Sequence, residues 1–200
     1  PQWQRELLKP LIEVLAGIPS IVLGFLGWVA LAPLVQQAGA PTGLTAFTGA
    51  LILAYMSLPT IISISEDALY AVPKEYRDAS LAIGATEWQT IWRVVVPAAR
   101  SGIVIATVLG IGRAIGETMA VMMVTGNAAN IPALATGLFF QPVRTMTATI
   151  AAEMGEVAQG SLHYQALFAI GIVLFLLTFA INSLASMLIG GGKQQRSSQL

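Results

Sequence analysis

Glu75-Tyr-Arg-Asp-Ala-Ser-Leu-Ala-Ile-Gly84, continuing as Ala85-Thr-Glu-Trp-Gln-Thr-Ile-Trp-Arg-Val-Val-Val-Pro97, is a polar, mixed-charge island between strongly apolar stretches. Its local signals predict helix, tight turn, helix. Pro73 suits a first helical turn, where its missing N–H would have no partner in any case. Glu75 and Asp78 favour the positive end of the same helix, and Gly84 can take the left-handed conformation that closes it. Residues 73–83 therefore read as a short helix. Thr86 and Gln89 have capping-box spacing and start a second one. That helix carries Trp88, Ile91, Trp92 and Val95 on one face, with Pro97 as its stop.

The flanks of this island decide the class of protein. The chain is 56% hydrophobic and 10% charged, with mean hydropathy +0.74, whereas soluble domains carry about 25% charged residues. Four segments are long and apolar enough to cross a bilayer, which takes ~20 residues: about 11–35, 44–64, 102–125 and 164–189. Pro19 and Pro59 lie inside the first two, which membrane helices tolerate. Small residues recur at Gly17, Gly24 and Gly27, and at Gly102, Ala106 and Gly110, where they allow close helix approach. The expectation is an all-α polytopic membrane protein, one transmembrane domain over 1–200. Its parts are a loop at about 66–100 on one side and a loop at about 126–163 on the other. The chain starts Pro1-Gln2-Trp3, with neither an initiator Met nor the order of a signal peptide, and so reads as a piece of a longer chain.

Basic residues orient it. Arg5, Lys9, Lys74, Arg77, Arg93, Arg100, Lys193 and Arg196 fall on one side of the four segments; Arg144 falls on the other and Arg113 within a segment. The positive-inside rule puts the first group, with loop 66–100 and the C-terminus, in the cytoplasm. Zero formal net charge gives no pointer to nucleic acid. Without cysteine, and with His163 as the one histidine, there is neither a disulfide framework nor a multi-histidine metal site.

The third segment contains Gly110-Ile-Gly-Arg113-Ala-Ile-Gly-Glu117-Thr-Met-Ala-Val121. Arg113 and Glu117 are four apart and would share one helix face. Ionised groups at that depth cost roughly 2.5–3.5 kcal/mol on insertion scales, so they should face a bundle interior or an aqueous path. Two readings stay open. In one, Arg113 offers a forked donor to an oxyanion, Glu117 steadies the guanidinium, and Thr118 and Thr125 add hydroxyls. In the other, Arg113 and Glu117 are a structural ion pair locking two helices. In the loop at 126–163, Glu153 and Glu156 could face a basic patch on a partner, and His163 reads as an interfacial residue.

The island resembles the signature loop of ABC-importer permeases, E-A-A-x3-G-x9-I-x-L-P. Asp78, Ala79 and Ser80 stand at the E-A-A positions, Gly84 at the glycine, and Val94, Val96 and Pro97 at I, L and P. Gly112-Arg-Ala-Ile-Gly-Glu-Thr-Met-Ala-Val121 is similar to a span of the phosphate-importer permeases. So are Leu8–Glu13 leading into Ala16–Ser20, Thr147–Glu156 and Tyr164–Gly171, most of all in the C-type subunit. The resemblance covers essentially the whole chain. It implies the helical bundle of type I importers, with further spans preceding those seen here. It implies a non-catalytic subunit in a bacterial plasma membrane that moves phosphate by alternating access. Glu75, Asp78, Ala79, Ser80, Gly84, Thr86 and Pro97 would couple to the ATPase, and Arg113, Glu117 and Thr118 would line the substrate path. The implied partners are a second homologous permease, an ABC ATPase dimer, an extracytoplasmic phosphate-binding protein and membrane lipid. ATP and Mg would sit on the ATPase, since no G-x4-G-K-[ST] loop occurs in the chain.

Alternatives are a permease of the same class for sulfate or molybdate, or a passive channel. An intramembrane enzyme lacks support, because no nucleophile–base set is present. The departures from the signature, Asp for Glu, Ser for Ala, and Val at the I and L positions, are conservative and bear on which ATPase fits.

Overall fold

The computed structural model describes residues 2–132 and 137–190, with the side chains of 2–8 and 188–190 left aside. The described part is helical, and its one β-type contact is the isolated bridge between Gly126 and Val143. Four helices are long and apolar enough to cross a membrane: Ser20–Gln37, Ala46–Tyr70, Glu87–Gly116 and Leu162–Met187.

The first expected span divides. α1 (Gln2–Gly17) ends before Pro19, and α2 (Ser20–Leu26) begins after it. Proline cannot donate to a helical ladder and pushes the residue before it out of the α region, so Ile18–Pro19 becomes a corner. α1 is therefore a separate helix, tied to the C-terminal end of α4 by Lys9 and Asp67, 3.8 Å apart. α2 continues through a π turn (Gly27–Leu31) into α3 (Ala32–Gln37).

α4 (Ala46–Tyr70) starts at Thr45, whose hydroxyl accepts the Thr48 N–H and so satisfies one of the free donors of the first turn. It runs through Pro59 without breaking. The island follows, as α5 (Lys74–Ala82), a corner at Gly84, and α6 (Glu87–Thr90).

Pro97 does not stop the second helix of the island. A π turn (Ile91–Val95) carries α6 into α7 (Val96–Gly116), with Pro97 in the first turn of α7. The Val96 N–H bonds the Ile91 carbonyl five residues back. The widened turn accommodates the ring, as the turn at Gly27–Leu31 does ahead of Pro33.

The third expected span, 102–125, also differs. α7 ends at Gly116, Glu117 is extended, and α8 (Met119–Val124) is a separate short helix. α9 (Met146–Glu153) and α10 (Leu162–Gly190) complete the order.

α4 and α7 form the most extensive helix pair. Their seam uses small residues: Ala106 is fully buried, Gly102 faces Ala68, and Gly110 faces Ile61. α2 packs on α8, where a Cβ on Gly24 would lie 2.7 Å from the Ala120 Cα. Leu23, Ile52, Met56, Ala120 and Val124 form the main core cluster. With no hydrophobic force between helices in lipid, such close packing is what holds spans together. α10 contacts α7 and α9 but keeps most of its surface outward.

Candidate functional site

The island folds into a rigid corner. Gly84 has φ +88°, the left-handed region open to glycine, and its N–H closes α5 on the Leu81 carbonyl. Thr86 and Gln89 form the full capping box: the Gln89 N–H donates to the Thr86 hydroxyl and the Thr86 N–H to the Gln89 side-chain carbonyl. Ser80 and Thr90, both buried, join the two limbs through hydroxyls 3.0 Å apart. Arg77 Nη2 donates to the Leu69 carbonyl at 2.9 Å, fastening α5 to the end of α4. Glu75, Asp78, Ala79, Gly84, Thr86 and Pro97 lie exposed on this corner, whereas Ser80 is inside it.

The corner also presents apolar bulk. Ile83 is 86% exposed, Trp88 68% and Trp92 55%, and the two indoles meet edge to face at 5.7 Å. Amphipathic aromatics with this much free surface suit a contact with a partner or with the head-group layer.

The intramembrane charges are arranged differently from one shared helix face. Because α7 ends at Gly116, Arg113 lies in its last turn and Glu117 in the break beyond. No ion pair joins them among the described residues. Arg113 Nη1 donates instead to the Thr60 hydroxyl of α4, at 3.0 Å. Glu117 Oε1 accepts the Ala120 N–H at 3.2 Å and so caps α8, while the Glu117 carbonyl accepts the Thr147 hydroxyl of α9 at 3.0 Å. Thr118 donates to the Gly116 carbonyl at 3.3 Å. The Thr125 hydroxyl is turned back onto its own helix, at the Val121 carbonyl. The sequence places Arg113 correctly in a span, but it could not show Thr60 as the partner, a contact 53 residues away in the chain.

A cavity of 520 Å³ adjoins the break, between α4, α7, α9 and α10. Ser57, Glu117, Thr145 and Thr147 are its polar lining and the rest is mainly apolar; Arg113 lies outside its wall.

On the far side of the bundle from the corner, Arg144, Glu153 and His163 form a clasp. Arg144 Nη1 pairs with Glu153 Oε1, and Arg144 Nε donates to the Asn127 carbonyl. His163 Nε2 lies 2.7 Å from Glu153 Oε2. The hydrogen bond from His163, and then Arg144, hold the Glu153 carboxyl below the usual carboxylate range against the opposing effect of partial burial. Glu153 is thus engaged within the chain rather than free for a partner. Among the described residues no cluster of three or more His, Cys, Asp or Glu is placed to hold a metal ion.

Known proteins share much of this sequence. The family described as "Binding-protein-dependent transport system inner membrane component" matches residues 1–190. A probable ABC transporter permease protein, YqgH, of Bacillus subtilis is 43% identical over 90% of the chain and 57% of its own length. The phosphate transport system permease proteins PstC of Mesorhizobium japonicum and Pasteurella multocida are 40% and 35% identical, over 92% and 94% of the chain and 62% and 63% of their own lengths. The chain therefore spans somewhat less than two thirds of these relatives.

Proposed function

This chain belongs to the binding-protein-dependent transport inner membrane component family, and from that premise we propose that it is a transmembrane subunit of an ATP-driven phosphate importer. The relatives named for phosphate transport support the substrate. The observation that carries the reading is Arg113: a permanent cation in the last turn of a membrane helix, bonded to a neutral hydroxyl rather than to a carboxylate. Among the described residues no carboxylate forms an ion pair with it, and a guanidinium has further donors to offer an oxyanion. Glu117, which caps α8, and Thr118 shape the break next to it.

In this reading the corner between Glu75 and Pro97 docks on an ABC ATPase dimer that binds ATP and Mg. A second homologous permease completes the pathway, a phosphate-binding protein delivers the anion from outside, and lipid surrounds the bundle. The basic side, with the C-terminus, faces the cytoplasm; Lys193 and Arg196, which share in that argument, lie outside the described residues. Closure of the ATPases would move the corner as a lever and open the spans alternately to each side.

The test is ATP-dependent uptake of labelled phosphate in vesicles holding the complete complex. Arg113→Gln is expected to abolish uptake while the complex still assembles, and Gly84→Asp to uncouple or detach the ATPase. Unchanged uptake by Arg113→Gln would refute the anion pathway.

A further inference from the structure

We propose that Thr60 is a positioning residue for anion passage, acting through the Arg113 guanidinium; this rests on the reading of Arg113 as part of the anion path. Thr60 follows Pro59 on α4 and is half-buried against α7. Its Oγ accepts the Arg113 Nη1 proton at 3.0 Å.

Three observations make this more than incidental contact. An arginine side chain is long and loses much rotamer entropy when fixed, so an unpartnered Arg113 would sample many positions. The seam holds α4 and α7 at close range beside it, because Gly110 has no side chain where Ile61 packs and Ser57 is buried one turn from Thr60. The hydroxyl is therefore set at a fixed distance from the α7 backbone. The acceptor is also neutral. A carboxylate at this position would cancel the charge that an anion needs, whereas a hydroxyl orients one arm of the fork and leaves the charge and the other donors in place. Thr60 thus supplies what Glu117 was expected to supply, orientation, without neutralisation.

Loss of the contact should make Arg113 search for its geometry at each cycle, lowering translocation without touching ATP hydrolysis by the ATPase at the distant corner. The experiment uses the complete complex in vesicles with phosphate-loaded binding protein, measuring phosphate moved and ATP hydrolysed in the same sample. Thr60→Val, which keeps the shape and removes the acceptor, is expected to hydrolyse ATP at the unmodified rate and to move about tenfold less phosphate per ATP, the effect of losing one charge-assisted hydrogen bond. Thr60→Ser, which keeps the hydroxyl, should restore the ratio.

Transport and hydrolysis falling together in Thr60→Val, with or without rescue by serine, would make Thr60 a structural residue and overturn the proposal. An unaltered ratio in Thr60→Val overturns it as well. Arg113→Gln measured alongside separates the levels: if it loses transport while Thr60→Val does not, only the role of Thr60 fails, and if it keeps the full ratio the anion pathway itself fails.

Discussion

Ser80 and Thr90 touch through their hydroxyls at 3.0 Å, and this buried contact joins the two limbs of the corner at Gly84. The limbs meet at Gly84, so the contact sets the angle between them. Removing one hydroxyl leaves the other buried without its partner, which costs about 1–3 kcal/mol, whereas replacing both can be nearly neutral. Ser80→Ala or Thr90→Val alone should lower the melting temperature of the complex, and the double variant should recover most of the loss. A double-mutant cycle on thermal unfolding checks this; strict additivity would show that the hydroxyls do not interact.

Gly84 has φ +88°, and a Cβ there would meet nothing. Any cost of Gly84→Ala is therefore conformational, roughly 1–2 kcal/mol for a non-glycine residue in the left-handed region. Gly84→Asn should cost less than Gly84→Ala, since asparagine tolerates that region better. Denaturation midpoints of the two variants give the order.

The clasp at Arg144, Glu153 and His163 links the loop after α8, the end of α9 and the start of α10. The Glu153 carboxyl titrates below its ordinary value, chiefly because of His163. A depressed acid contributes stability that is fully present above its unfolded-state pKa, about 4.3, and is lost as pH falls through the lower folded value. Melting temperature against pH should thus hold as pH falls from neutrality and drop only below the usual carboxylate range. Glu153→Gln should flatten that acid limb.

Gly24 lies against the backbone of Ala120 where α2 packs on α8. Because the obstacle to a Cβ at Gly24 is backbone, Gly24→Ala must push the helices apart, at about 1–3 kcal/mol. Gly112→Ala, inside α7 where a Cβ would meet nothing, is the control and should stabilise by up to about 1 kcal/mol through helix propensity alone. Thermal unfolding of the two in parallel distinguishes packing from helix propensity.

Local chemistry was readable in advance where the causes lie within a few residues. The left-handed Gly84 and the reciprocal Thr86–Gln89 cap depend on neighbours alone. The apolar segments announce themselves by length. What the chain hides is set by distant contacts: Ser80 with Thr90, and Arg113 with Thr60, 53 residues away. At two places a local rule is overridden by the backbone around it. Pro97 predicts a helix end, yet a widened turn lets the helix proceed. The spacing of Arg113 and Glu117 gives a shared face only if the helix continues, and it ends at Gly116.

The wide turn at Ile91–Val95 has a geometric effect on everything after it. One residue beyond the normal ladder is spent there, so the side-chain azimuth slips by about 100°, the rotation per residue of an α-helix. The indoles of Trp88 and Trp92 and the small-residue stripe of Gly102, Ala106 and Gly110 therefore do not follow one uninterrupted helical wheel. Each half of this long rod keeps its own compass bearing: one aims its bulky rings outward from the corner, the other turns its bare backbone toward α4, and the slip between them reconciles the two.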